Sequence, residues 1–221
     1  MKAEVIHTGN ENAQRRAIEV LKAGGLVAFP TDTVYGLAAL PWDVDAVVRL
    51  YEAKQRPPDR PIPLLLSDAS QLSRVATLPP RFRRLLARLW PGGLTLVLPK
   101  TKMVPGVISA SPTVAVRVPD LPLTRNLIRE AGGVLAVTSA NISGQPSPIT
   151  AQEVKEQLGN RIDLILDGGP CWGGVPSSIL DCTVSPPLLL RHGVVPEAAL
   201  RAAIGPIKIP DRKTIPALVG L

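Results

Sequence analysis

The chain has only two histidines and two cysteines among its 221 residues. Cys171 and Cys182 form no C-x-x-C pair and His7 and His192 stand apart, so neither a zinc site nor a disulfide framework is written here. Cysteine usage of this kind suits a reducing cytosol. No apolar run approaches the roughly 18 residues that a membrane span needs. The opening MKAEVIHTGNENAQRR lacks a signal-peptide core, so a soluble cytoplasmic protein with no membrane partner is expected. Aromatic residues are scarce too, at 3%. Phe29, Tyr35, Tyr51, Phe82 and Trp90 lie in or beside apolar-patterned segments, which leaves few rings for stacking single-stranded nucleic acid. Several motifs are missing as well: no GxxxxGK followed by Ser or Thr, no GxGxxG after a strand, and no GxSxG elbow.

Against these absences stands a net charge of +7 and a sequence pI near 9.8. Such a balance points to polyanionic partners: nucleic acid, nucleotides or phosphorylated metabolites. A hydrophobic content of 45% is ample for one large core. Helix and strand patterns alternate. Ala13, Ala17, Val20 and Leu21 make one helix face, and LVAF at 26–29 reads as a buried strand. Val44, Val47, Val48 and Tyr51 repeat helical spacing behind the N-cap candidate Asp43, delivering a helix end to Lys54. PRFRRLLARLW places Phe82, Leu85, Leu86 and Leu89 on one face. Strands are expected at 94–98, 113–118, 134–138, 163–167 and 177–184, and Thr150 with Glu153 forms a capping box. Interleaving of this kind implies an α/β fold, with residues 1–204 as one domain and 205–221 as a proline-broken tail.

Chemistry has few places to sit. KQRPPDRP carries Lys54, Arg56 and Arg60 within eight residues. In PTDTVYGLA, two-residue alternation would put Thr31, Thr33 and Tyr35 on one side, and in TVAVRV it sets Thr113 and Arg117 on the face opposite Val114, Val116 and Val118. VTSANISGQPSPIT brings Thr138, Ser139, Asn141, Ser143 and Ser147 to a strand end, where hydroxyls and backbone N–H groups suit phosphate oxygens. With Arg191, the inventory is cations and small hydroxyls without an evident nucleophile or metal cage. Phosphoryl-type chemistry is the class for which positioning and charge neutralisation suffice.

In this order the landmarks PTDTVYGLA, EAKQRP, PGGLTLVL, VAVRVP, SANISGQPSPIT, LDGG, SSILD and LLRHGVV resemble the YrdC/TsaC family of threonylcarbamoyl-AMP synthases, from about Ala13 to Pro196. The resemblance implies a twisted mixed sheet flanked by helices around a large, positively charged concave cleft. It implies synthesis of L-threonylcarbamoyladenylate and pyrophosphate from L-threonine, bicarbonate or CO2 and ATP, the first step towards N6-threonylcarbamoyladenosine in tRNA. By the same likeness, Lys54 and Arg56 would be catalytic and, with Arg60, would clamp phosphates. Thr113, Ser139, Asn141, Ser147 and Arg191 would meet the nucleotide. Thr31, Thr33, Tyr35, Arg117 and Ser177 or Ser178 would hold threonine. Mg2+ would arrive with ATP rather than in a protein cage. Partners would be a threonylcarbamoyl transferase complex and, directly or through it, tRNA. The sequence departs from the family pattern at Arg60, where asparagine is common, at Pro176 and at His192, and it looks like the short form without an added C-terminal domain. Two other readings share the motif set: a carbamoyl-adenylate-forming domain, and a non-catalytic RNA-binding module.

Overall fold

The computed structural model describes residues 2–210, and within them ten strands form one mixed sheet. In chain order the elements are β1 (Glu4–His7), α1 (Ala13–Lys22), β2 (Val27–Phe29), β3 (Gly36–Ala39), α2 (Val44–Lys54), β4 (Leu64–Leu66), α3 (Leu72–Val75), α4 (Arg83–Leu89), β5 (Leu94–Pro99), β6 (Thr113–Arg117), α5 (Pro122–Glu130), β7 (Val134–Ser139), α6 (Ala151–Leu158), β8 (Leu164–Asp167), β9 (Ser178–Asp181), β10 (Leu188–Arg191) and α7 (Glu197–Ile204). The strand order is β1-β8-β2-β3-β7-β4-β6-β5-β9-β10. Parallel pairs (β1 with β8, β8 with β2, β4 with β6, β5 with β9) mix with antiparallel ones. The α/β sheet flanked by helices that the sequence implies is the one the chain forms.

One face is fully covered. Leu94, Leu96 and Leu98 of β5, Val114 and Val116 of β6 and Leu64 and Leu66 of β4 alternate onto it, and α2, α3, α4, α6 and α7 pack against them in one core. Helices α1 and α5 cover the other face over β8, β2, β3, β7 and part of β4, where Phe29, Leu65, Leu135, Val137 and Leu164 meet Ala17, Leu21, Leu127 and Ile128. The rest of that face, towards β6, β5, β9 and β10, carries the polar side chains described below. This half-covered sheet is what positions the site.

Several expectations shift. The buried stripe of α2 is Ala46, Val47, Leu50, Tyr51, Ala53 and Lys54, while Val44 and Val48 face solvent at 51% and 40% exposure. The buried stripe is thus turned away from Val44 and Val48 and takes in the helix's last residue, a lysine. Strand β2 stops at Phe29, before Pro30, so 30–35 is a bend and not an alternating strand. The strand expected over 177–184 narrows to β9. Elements β1, β3, β4, β10, α3, α5 and α7 add to those read from the pattern. Of the tail, Ile207 is buried and Lys208 pairs with Leu188 of β10, whereas 211–221 lie outside the described residues.

Candidate active site

At the end of α2 the chain turns through Gln55, whose φ of 52° lies in the left-handed region that non-glycine residues rarely adopt. Gln55 N–H donates to Glu52 O and Arg56 N–H to Tyr51 O, which closes a Schellman cap. The cap sends Lys54 and Arg56 to the same buried region. Lys54 is 1% exposed, and its Nζ donates to Ser139 O and Asn141 O, each at 2.5 Å. Its own carbonyl accepts from Ser143 N at 2.9 Å. The K-x-R turn and the S-x-N loop are therefore zipped together through one residue. Burial, with Arg56 adding a little, pushes the Lys54 pKa down to about 7.

Arg56 ties down its own loop: Nε donates to Arg60 O at 3.1 Å and Nη2 to Pro61 O at 2.8 Å. Desolvation lowers its pKa to about 10. Asn141 holds the other loop closed, its Nδ2 donating to Ile142 O and Gln145 O, both at 2.8 Å.

Arg117, at the end of β6, spreads its donors over three acceptors: Nε to Gly92 O and Nη1 to Thr33 Oγ1, both at 2.9 Å, and Nη2 to Asp32 Oδ1 at 2.6 Å. Thr33 Oγ1 lies 3.0 Å from Thr31 Oγ1, whose one proton goes to Val34 O. The two threonines meet, as alternation suggested, but through a turn closed by a side-chain hydroxyl. Tyr35 goes elsewhere: its hydroxyl donates to Gly169 O and accepts from Gly168 N. Burial raises its pKa well above the usual phenol range.

Arg191 reaches the same face because of a bulge. Register along β9 and β10 runs Leu189 to Leu180 and then Arg191 to Ile179, leaving Leu190 as an extra residue. Simple alternation would put Arg191 with the core-facing Leu189; the inserted residue flips it over. There its Nε donates to Ser177 O at 2.9 Å and its Nη2 to Ser177 Oγ at 3.0 Å. Ser177 Oγ in turn lies 2.8 Å from Thr95 Oγ1. Burial first, and Arg117 second, lower the Arg191 pKa to about 10.

These side chains converge on one cavity of about 360 Å³. Thr31, Thr33, Lys54, Arg56, Arg60, Arg117, Ser139, Asn141, Ser147, Ser177 and Arg191 all line it, as do Thr138 and Ser143, while Tyr35 borders it with its hydroxyl turned away to Gly168 and Gly169. Two candidates do not. Ser178 turns to the other side of β9, where its hydroxyl donates to Val195 O and accepts from Gly193 N and Val195 N. Thr113 sits roughly 13 Å along the strand from Arg117, its hydroxyl 3.0 Å from that of Ser111. Thr95 lines the cavity and Asp32, outside that lining, reaches it through Arg117; the sequence marked neither. Thr95 could have been found from the alternation in LTLVL, which places it opposite Leu94 and Leu96. Asp32 offers no such signal, since its partner Arg117 is 85 positions away.

Fold and site together define an α/β protein with a cation-lined, hydroxyl-rich cleft suited to small anions. The chain belongs to the Sua5/YciO/YrdC family, whose model, described as telomere recombination, matches residues 19–193. A threonylcarbamoyl-AMP synthase of Bacillus subtilis is 44% identical over 203 residues, which cover 90% of this chain and 59% of that protein. One of Pyrococcus abyssi is 45% identical over 197 residues, covering 88% and 58%. The crystal structure of P. abyssi Sua5 complexed with L-threonine superposes with a TM-score of 0.90 at 42% identity, over 95% of this chain and 63% of that one. The chain thus spans about three fifths of the length of these relatives.

Proposed function

We propose that the chain makes L-threonylcarbamoyladenylate and pyrophosphate from L-threonine, bicarbonate or CO2 and ATP, as a nucleotidyltransferase serving the threonylcarbamoyl modification of tRNA in the cytoplasm. The observation that carries this reading is the meeting of five cationic side chains (Lys54, Arg56, Arg60, Arg117, Arg191) with small hydroxyls on one cleft. A cation about 4 Å from a phosphate charge is worth on the order of 4 kcal/mol at an effective dielectric near 20, before desolvation. Arg56 and Arg60 flank the polyphosphate, and Lys54 holds the Ser139–Asn141 loop against it. Arg191, Ser139, Asn141 and Ser147 meet the rest of the nucleotide. Thr33, Arg117 and Ser177 take the amino acid, whose carboxylate meets the donors Arg117 has left.

The threonine amine takes up CO2 as a carbamate, a carbamate oxygen attacks the α-phosphorus, and pyrophosphate leaves from the cationic end. Among the described residues no cluster of three metal-binding side chains occurs, so Mg2+ is assigned to the phosphates as part of the substrate. A transferase consumes the adenylate, and tRNA enters through it or directly. Purified protein should release pyrophosphate from ATP only when L-threonine and bicarbonate are both present. Release indifferent to threonine would discard the assignment.

A further inference from the structure

Among the described residues, Arg117 is the one cleft cation that forms an ion pair, and its partner is Asp32. Both side chains are largely out of water, at 7% and 17% exposure. The backbone beside Asp32 is fixed from outside as well: a Cβ on Gly173 would come within 2.5 Å of Asp32 O and 2.9 Å of Thr33 Cα. Arg117 and Arg191 are near enough for one to depress the pKa of the other. Without Asp32 this end of the cleft would present two neighbouring guanidiniums beside the hydroxyls of Thr33, Thr95 and Ser177. That is an anion trap comparable to the pair of guanidiniums at Arg56 and Arg60. With Asp32 in place the Arg117 end carries one net positive charge instead of two, and three of the five N–H donors of Arg117 are committed.

We propose that Asp32 is a positioning and selectivity residue: by orienting and neutralising Arg117 it reserves that end of the cleft for a singly charged carboxylate and denies it to polyphosphate. The assignment of the two ends rests on the function proposed above, but the effect of Asp32 on anion capacity does not. A monocarboxylate needs only one unpaired guanidinium edge, whereas a pyrophosphate group needs several cations whose charge is not already cancelled. A cleft without this division would bind its own product at both ends.

The test is calorimetric titration of inorganic pyrophosphate, alone and against L-threonine, into the wild type, Asp32→Asn and Asp32→Glu. The wild type is expected to take up one pyrophosphate without loss of threonine affinity. Asp32→Asn should take up a second, which weakens the apparent threonine affinity at least about tenfold. Asp32→Glu should restore the wild-type pattern. If the asparagine variant does not fold, Asp32→Ser is read in the same way. An Asp32→Asn protein that binds one pyrophosphate, with threonine affinity as insensitive to it as in the wild type, overturns the proposal. A wild type that binds no threonine counts against the proposed function, while a new pyrophosphate site in Asp32→Asn still supports the role of Asp32.

Discussion

Replacing Lys54 by methionine keeps the length of the side chain and removes its proton. In the wild type, burial holds the Lys54 pKa near 7 against 10.5 for the free side chain. Between those values the unfolded chain binds the extra proton, so stability rises with pH. The cost of the buried charge is fully present below pH 7 and fades as pH climbs towards 10.5. At about 1.4 kcal/mol per pH unit, the whole interval amounts to something on the order of 5 kcal/mol, and the step from pH 7 to pH 9 to about half of that. A neutral amine still has two N–H donors for Ser139 O and Asn141 O, so losing the proton does not open the loop. Methionine leaves both carbonyls unpaired, at roughly 1–3 kcal/mol each, with no pH dependence of its own. Urea unfolding at pH 6, 7, 8 and 9 with unchanged m-values gives the comparison, and groups common to both proteins cancel in it. The stability difference should swing towards the wild type by about 2–3 kcal/mol between pH 7 and 9. A flat difference would mean that burial does not lower the Lys54 pKa, and would refute the reasoning that makes the wild type gain stability with pH.

Other consequences can be measured separately. Arg56→Ala should weaken ATP binding at least about tenfold more than threonine binding, and Arg117→Ala the reverse; equal losses for both ligands in calorimetry would remove the division of roles. Gln55→Gly relieves a left-handed backbone at an exposed cap, so urea unfolding should show equal or greater stability, by up to about 1 kcal/mol. A clear loss would speak against the cap geometry. Gly173→Ala pushes a methyl group into Asp32 and Thr33 backbone, so the KM for threonine should rise several-fold while that for ATP stays put. Thr150→Ala removes the capping box of α6 and should cost about 1 kcal/mol in the same unfolding assay; no change would make the cap idle.

Much of the fold is legible where local chemistry decides it. LTLVL, TVAVRV and VLAVT declare themselves through alternation and β-branching, and the Thr150–Glu153 box marks α6 within a single turn. Strand β3, sequence GLAA, carries no such signal, since glycine and alanine favour no strand. It forms because β2 and β7 offer their edges to it. The site divides along the same line. Cations and hydroxyls could be named from motifs, but their partners could not: Lys54 meets Ser139 O across 85 residues and Arg117 meets Asp32 across the same distance. Arg191 faces the cleft only because of a bulge at Leu190, which the run LLLR does not announce. Ser177 and Ser178 look alike in sequence, and the single-residue phase of β9 sends one to the cleft and the other to the Gly193–Val195 backbone.

A crystal structure of the chain with L-threonine and a non-hydrolysable ATP analogue tests the central claim most directly. The account predicts polyphosphate oxygens within hydrogen-bond distance of Arg56 and Arg60, the threonine carboxylate on Arg117 beside Thr33, and Lys54 still bonded to Ser139 O. Polyphosphate lying against Arg117, or the two ligands in separate cavities, would contradict it.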